Sequence, residues 1–206
     1  MYYYSKRYFV PRHYIRESSE EKGSIGEKQA YWELYKIEGH KQLFYNILLS
    51  DDHRSTHEID LIMVHGTGIY VFEVKNYSGW IYGNENHQTW TQTFPHGEKY
   101  HFQNPIIQNN KHVKVLNRII THPNRWFFNV IVFGNNCELK SIEKFSTAEI
   151  LQMNDLYMKT KYNCEHSVLR LSDEDVDRIS KQIWDANIKY EATRASHIET
   201  VKNIKK

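Results

Sequence analysis

Two cysteines in 206 residues, Cys137 and Cys164, stand too far apart in the chain to form a metal-ligand spacing. They read as free thiols of a reducing compartment, with a single disulfide between them as the open alternative. No run of 18 apolar residues occurs, so no helix that spans a bilayer is expected. The tyrosine-rich start, Met1-Tyr2-Tyr3-Tyr4-Ser5-Lys6-Arg7, lacks the apolar stretch of a secretory signal. A soluble, cytoplasmic protein without membrane contact is therefore expected. A large excess of one charge sign is also lacking. A formal net charge of +2 does not by itself argue for a polyanion partner, so any such site must come from local clustering. Internal repeats and low-complexity blocks are absent. What remains is the composition of a globular chain, 40% hydrophobic and 25% charged, long enough for one α/β domain with a real core.

Three regions follow from the pattern. Residues 1–23 read as an aromatic and basic arm, residues 24–190 as the folded domain, and residues 191–206 as a polar, lysine-rich tail. Ser24 is placed to cap a helix over about 25–37, with Glu27 as its capping-box partner. On that helix Glu27, Ala30, Tyr31 and Leu34 share a face, which turns a glutamate toward the sheet. Leu43 to Leu49 reads as a strand, followed by a polar loop from Ser50 to His57. Trp80 to Gly83 and a short strand near Trp90 read as meanders off the same sheet. Asn104-Pro105 opens a helix to about His122, with Asn as N-cap and Pro at the first helical position. Trp126 to Phe133 is a nearly continuous apolar run, as expected of a buried strand. Ala148 to Met153 reads as another strand, and Asn154 as the cap of a short helix. Ser172-Asp173-Glu174-Asp175 starts a further helix, its acids favoured by the dipole, with Val176, Ile179, Ile183 and Trp184 turned inward. The order of elements predicts a mixed β-sheet flanked by helices.

The chemistry concentrates in Glu58-Ile59-Asp60-Leu61-Ile62-Met63-Val64 and Ile69-Tyr70-Val71-Phe72-Glu73-Val74-Lys75. His65-Gly66-Thr67-Gly68 can fold these two runs into a hairpin. If Val64 pairs with Ile69, Asp60 falls opposite Glu73 and Glu58 opposite Lys75, on one face. Two acids on a largely buried sheet need a cation or a proton in order to coexist. Asp60 and Glu73 are the expected ligands of Mg²⁺ or Mn²⁺, with the Val74 carbonyl as a further one. Lys75 is expected to orient a water and to offset charge building on a phosphate; whether it also acts as base depends on its pKa. An acid-x-Lys triplet alone is weak, since Glu20-Glu21-Lys22 matches it within a polar stretch. A surface ion pair between Glu73 and Lys75 is the bland alternative.

Several strings together resemble the NERD (nuclease-related) domain. They are Ser24-Ile25-Gly26-Glu27, Glu58-Ile59-Asp60, Gly68 through Gly79, and Asn104-Pro105-Ile106-Ile107-Gln108. The resemblance covers about residues 24–135. It implies a restriction-endonuclease-like fold and membership of the PD-(D/E)XK nuclease superfamily. It also implies Asp60, Glu73 and Lys75 as the nuclease core, Glu27 as an acid that joins the metal shell, and Gln108 as a polar residue at the site. Trp80 to Trp90 is similar to the family's glycine-and-tryptophan stretch. Residues 136–206 carry no motif of the family.

Each assignment has a competitor. Glu27 could serve only as the capping-box partner of Ser24, and Gln108 could be an exposed helix residue. Lys111, His112, Lys114 and Arg118 form either a basic edge for nucleic-acid phosphates or a solvated helix face. Twelve histidines invite a zinc reading, but His53 with His57, or His96 with His101, have no cysteines at ligand spacing. The expected function is a Mg²⁺- or Mn²⁺-dependent nuclease acting on DNA, with RNA and a homodimeric state left open. Two alternatives are a nucleic-acid-binding or assembly module with little or no turnover, and a hydrolase of another phosphate ester.

Overall fold

A computed structural model gives the fold and describes residues 21–50, 55–122, 126–142 and 147–187. The arm up to residue 20, part of the Ser50–His57 loop and the tail from residue 188 lie outside the described residues. Helix α1 spans Glu21–Tyr35, and strands β1 (Lys41–Ser50), β2 (Thr56–His65) and β3 (Gly68–Lys75) follow it. Strands β4 (Gly79–Gly83), β5 (Thr89–Thr93) and β6 (Lys99–Gln103) lead into helix α2 (Pro105–Ile119). Strands β7 (Phe127–Phe133), β8 (Cys137–Ile142) and β9 (Glu149–Gln152) come next. A single 3₁₀ turn at Met153–Asp155 then leads into helix α3 (Leu156–His166), and helix α4 covers 173–187.

The main sheet has the order β1-β2-β3-β7-β9, antiparallel through β1, β2 and β3 and parallel from β3 to β9. Strand β3 is its centre and is buried along nearly its whole length. Alternation along β3 sends Ile69 and Val71 to one side, against Val115 and Leu116 of α2 and Val176, Ile179 and Ile183 of α4. Tyr70, Phe72 and Val74 face the other side, against Ala30 and Leu34 of α1 and Leu156 and Cys164 of α3. The period of two therefore carries Glu73 and Lys75 onto the α2 side.

The hairpin forms in the expected register as far as Leu61 opposite Phe72, with Val64 opposite Ile69 and His65 opposite Gly68 closing a two-residue loop. The expected pairs of Asp60 with Glu73 and Glu58 with Lys75 do not form, because the ladder stops before them. Gly68 has φ +136°, and a Cβ there would lie 2.7 Å from the Phe128 ring, so only glycine fits.

Several expectations are corrected. Ser24 lies inside α1, which already begins by Glu21, so it does not cap the helix and the capping-box role for Glu27 lapses. Strands β4 and β5 do not extend the main sheet. They join β6 and β8 in a second sheet of order β6-β5-β4-β8, whose core is Ile81, Trp90 and Cys137 packed on Ile106, Ile131 and Phe133. Asn154 sits within the 3₁₀ turn that precedes α3 rather than capping that helix. In α4, Val176, Ile179 and Ile183 are buried as expected, whereas Trp184 is 42% exposed. The α2 cap is as read: Asn104 Oδ1 accepts from the Ile106 N–H at 2.9 Å. Its Nδ2 donates to the carbonyls of Asn84, Glu85 and His87, which ties the start of α2 to the β4–β5 turn. Among the described residues, no helix is long and apolar enough to cross a membrane.

Candidate active site

Asp60 lies at an irregularity shared by two strands. Leu61 and Met63 point to the α1 side and Ile62 and Val64 to the α2 side, but Ile59 then joins the α2 side as well. Strand β1 resets in the same place, with Phe44 and Ile47 both on the α2 side. The flanking pairs Tyr45↔Leu61 and Ile47↔Ile59 set Asn46 opposite Asp60. Asn46, at φ 56°, is the only non-glycine residue with positive φ among the described residues. Asparagine tolerates this region better than most residues, and it lets both strands turn over at one point. The β2–β3 ladder ends at Leu61↔Phe72, and Asp60 Oδ2 accepts the Val74 N–H at 2.7 Å in its place.

Glu73 is 1% exposed, and Lys75 Nζ donates to its Oε1 at 2.5 Å. The same ammonium donates to Gln108 Oε1 at 3.1 Å, so Gln108 faces the sheet from α2 rather than solvent. One helical turn on, His112 Nδ1 lies 3.7 Å from Glu73 Oε2. Neither atom has a hydrogen-bond partner, and both are buried. His112 is 5% exposed and so does not belong to the outer basic edge, which Lys111, Lys114 and Arg118 do occupy as exposed residues. The Val74–Asn76 segment is approached by α1 at Gly26, where a Cβ would sit 3.0 Å from Asn76 Cβ. That close approach brings the charge of Glu27 to bear on both acids of the hairpin.

The electrostatics follow from this crowding. Burial raises the Asp60 carboxyl well above the usual carboxylate range, and the Glu73 and Glu27 charges add to the shift, against the Val74 N–H. Burial also raises Glu73, although Lys75 opposes it. Burial alone would lower Lys75, but the Glu73 charge and hydrogen bond outweigh it and hold the ammonium above its ordinary value. His112 is pushed down to about 4 by burial, then by His57 and the nearby lysines. It is therefore neutral at neutral pH, and its approach to Glu73 is not an ion pair.

The arrangement is short of positive charge: one ammonium faces the buried acids Asp60 and Glu73, and the charge of Glu27 also bears on both. Among the described residues, no group of three or more His, Cys, Asp or Glu side chains is placed to hold a metal ion. Mg²⁺ needs only one or two carboxylates and keeps several waters, and the orphaned Glu73 Oε2 is the kind of atom such an ion satisfies. The residues present fit a hard divalent cation.

A family model described as a nuclease-related domain matches residues 22–134. The chain belongs to the nuclease-related domain family. All the site residues above fall inside that match, and the family's restriction-endonuclease-like fold is the architecture seen here. An uncharacterized protein of Bacillus anthracis is 31% identical over 184 residues, covering 88% of this chain and 84% of the relative. That similarity extends beyond the residues the family model spans.

Three features of the site were not read from the sequence. The 108–112 spacing puts His112 on the same helix face as Gln108, which was the available signal for its inward position. Asn109 donates to the Val71 carbonyl at 2.8 Å and to Asn129 Oδ1 at 2.7 Å, pinning α2 to β3 two residues before Glu73. Neither this anchor nor the turn-over at Asn46 has a sequence signature, because each depends on which strands become neighbours.

Proposed function

We propose that this chain is a Mg²⁺- or Mn²⁺-dependent nuclease that hydrolyses phosphodiester bonds in DNA. The observation that carries the reading is Glu73 Oε2, a buried carboxylate oxygen without a partner, in a site where Asp60 and Glu73 both resist ionisation. Asp60, Glu73 and the Val74 carbonyl would hold the ion, with Glu27 within electrostatic reach. A divalent ion there supplies a Lewis acid for the phosphate and acidifies a bound water. Lys75 keeps its proton, which supports a role in orienting the water and offsetting phosphorane charge rather than as general base. Gln108 fixes the ammonium by accepting from it. Lys111, Lys114 and Arg118, exposed on the outer side of the same helix, are suited to contact phosphates flanking the cut.

The test is cleavage of supercoiled plasmid in Mg²⁺ or Mn²⁺ by wild type, Glu73→Ala and Lys75→Ala. Each variant is expected to lose at least about 100-fold in rate. Equal cleavage by all three would assign the activity to a contaminant. Salt-sensitive DNA binding without metal-dependent turnover by wild type would replace the proposal with a binding module.

A further inference from the structure

The inference rests on the proposed metal-dependent reading and adds a residue to it. Helix α2 addresses both members of the Glu73–Lys75 pair. Gln108 meets the ammonium at 3.1 Å, and His112, four residues later, meets the carboxylate. The two contacts differ in one respect. The Gln108 contact is a made hydrogen bond, whereas His112 Nδ1 and Glu73 Oε2 face each other at 3.7 Å with neither atom otherwise bonded. Leaving two polar atoms buried and unpaired is costly for a fold. The separation is only about half an ångström beyond hydrogen-bond reach, so a small rotation of the carboxylate closes it.

The position of His112 is not accidental slack in a loosely packed helix. Asn109, three residues before it, bonds to the Val71 carbonyl and to Asn129, and Asn129 Nδ2 donates in turn to Asn110 Oδ1 at 2.9 Å. Asn104 locks the start of the helix through its three donated bonds. Helix and strand are thus held in fixed register on either side of the gap, and the adjustable partner is the Glu73 side chain.

We infer that His112 is a positioning residue that donates Nδ1–H to Glu73 Oε2 and so fixes the carboxylate in the orientation that holds the cation. Glu73 can present only one set of lone pairs to an ion at a time. With Oε1 bonded by Lys75 and one lone pair of Oε2 taken by His112, the carboxylate plane is fixed from both ends and the second lone pair of Oε2 is left for the cation. Partners of ligating carboxylates outside the coordination sphere typically contribute about 10–100-fold in metal affinity or activity. His112 is not assigned a place in the coordination sphere, and it touches no reacting atom.

The experiment uses the full chain with His112→Leu and His112→Asn. Asparagine sets an N–H donor near the Nδ1 position, and leucine fills the space without one. Mn²⁺ binding is measured by calorimetry without nucleic acid, and plasmid cleavage is measured at rising Mn²⁺. Leucine is expected to weaken Mn²⁺ binding by about 10-fold or more, with most of the cleavage rate recovered at saturating Mn²⁺, and asparagine to restore affinity to within a few-fold of wild type. Imidazole ¹⁵N shifts of the metal-free wild type, a readout independent of activity, are expected to show Nδ1 carrying the proton.

Unchanged Mn²⁺ affinity in the leucine variant would overturn the inference. So would an asparagine variant as weak as leucine, Nδ1 found unprotonated, or direct ¹⁴N coupling from His112 to bound Mn²⁺. Failure of wild type to bind Mn²⁺ at all would sink the proposed function and this inference together. Wild-type binding with an indifferent leucine variant would sink only the inference.

Discussion

Both ends of the β2–β3 hairpin bury polar side chains, roughly 15 Å apart along the strand, and the two ends are finished differently. At the turn, His65 Nδ1 accepts from the Thr67 N–H at 3.2 Å and lies 2.8 Å from Thr67 Oγ1, while Nε2 lies 3.1 Å from the Glu38 carbonyl. Thr67 Oγ1 is 2.9 Å from Tyr70 OH, and the Cys164 thiol contacts both hydroxyls at 3.6 Å. Donors and acceptors close on each other there, and no carboxylate is in the network. At the other end, Asp60 and Glu73 are held in raised-pKa surroundings with orphaned atoms at Glu73 and His112. A closed polar network stabilises and specifies a fold, whereas an open one, under the proposed function, is completed by a cation. Under the proposed function the first cluster is structural and the second is the one that works, although both are buried.

The sharpest way to break this comparison is by stability. Thr67→Val should cost about 1–3 kcal/mol by depriving Tyr70 and His65 of a partner, with plasmid cleavage retained at temperatures where the variant is folded. Asp60→Asn should do the reverse, raising the metal-free melting temperature at neutral pH while abolishing cleavage. If Asp60→Asn melts below wild type without metal, the charge-deficit account of the site is wrong.

A smaller effect lies in the pH dependence. The folded-state pKa of Asp60 is raised above its ordinary 3.8. Its penalty is therefore absent below that value and grows as pH rises toward neutral. The advantage of Asp60→Asn should vanish near pH 4 and widen upward. His65 runs the other way. Burial lowers it from 6.5, so its contribution is full above that pH and is lost as pH falls. Thermal melts of Asp60→Asn and His65→Gln across pH 4 to 7.5 should thus both converge on wild type toward pH 4, Asp60→Asn from above and His65→Gln from below. Parallel curves would contradict the assignment.

The smallest effect concerns the outer face of α2. Lys114→Gln and Arg118→Gln should each weaken DNA binding and lower the salt slope by about one, with little change in the rate at saturating DNA. Unchanged salt slopes would move the substrate off this face.

The main sheet and most of the site were legible in the sequence because they depend on local order. A short glycine turn fixes the hairpin register, period-two alternation fixes the faces of β3, and Asn104-Pro105 marks the start of α2. What was not legible depends on distant partners. β6 and β8 are short and polar, and they become strands only because β5 and β4 offer them edges. Ser24 has the chemistry of a cap, but α1 begins before it. His112 sits among basic residues in the chain and points away from them in space, because α2 lays that face on β3.

Helix α2 carries Gln108 and His112 on its inner surface and Lys111, Lys114 and Arg118 on its outer one, and Asn104 and Asn109 prevent it from sliding. Under the proposed activity, a phosphate gripped outside and the phosphate hydrolysed inside are separated by the thickness of a single helix, about 10 Å. The helix would then act as a ruler. The distance from the point of grip to the point of scission would be built into the fold rather than chosen by the nucleic acid, and lengthening a basic side chain would shift the cut where changing the sequence of the DNA would not.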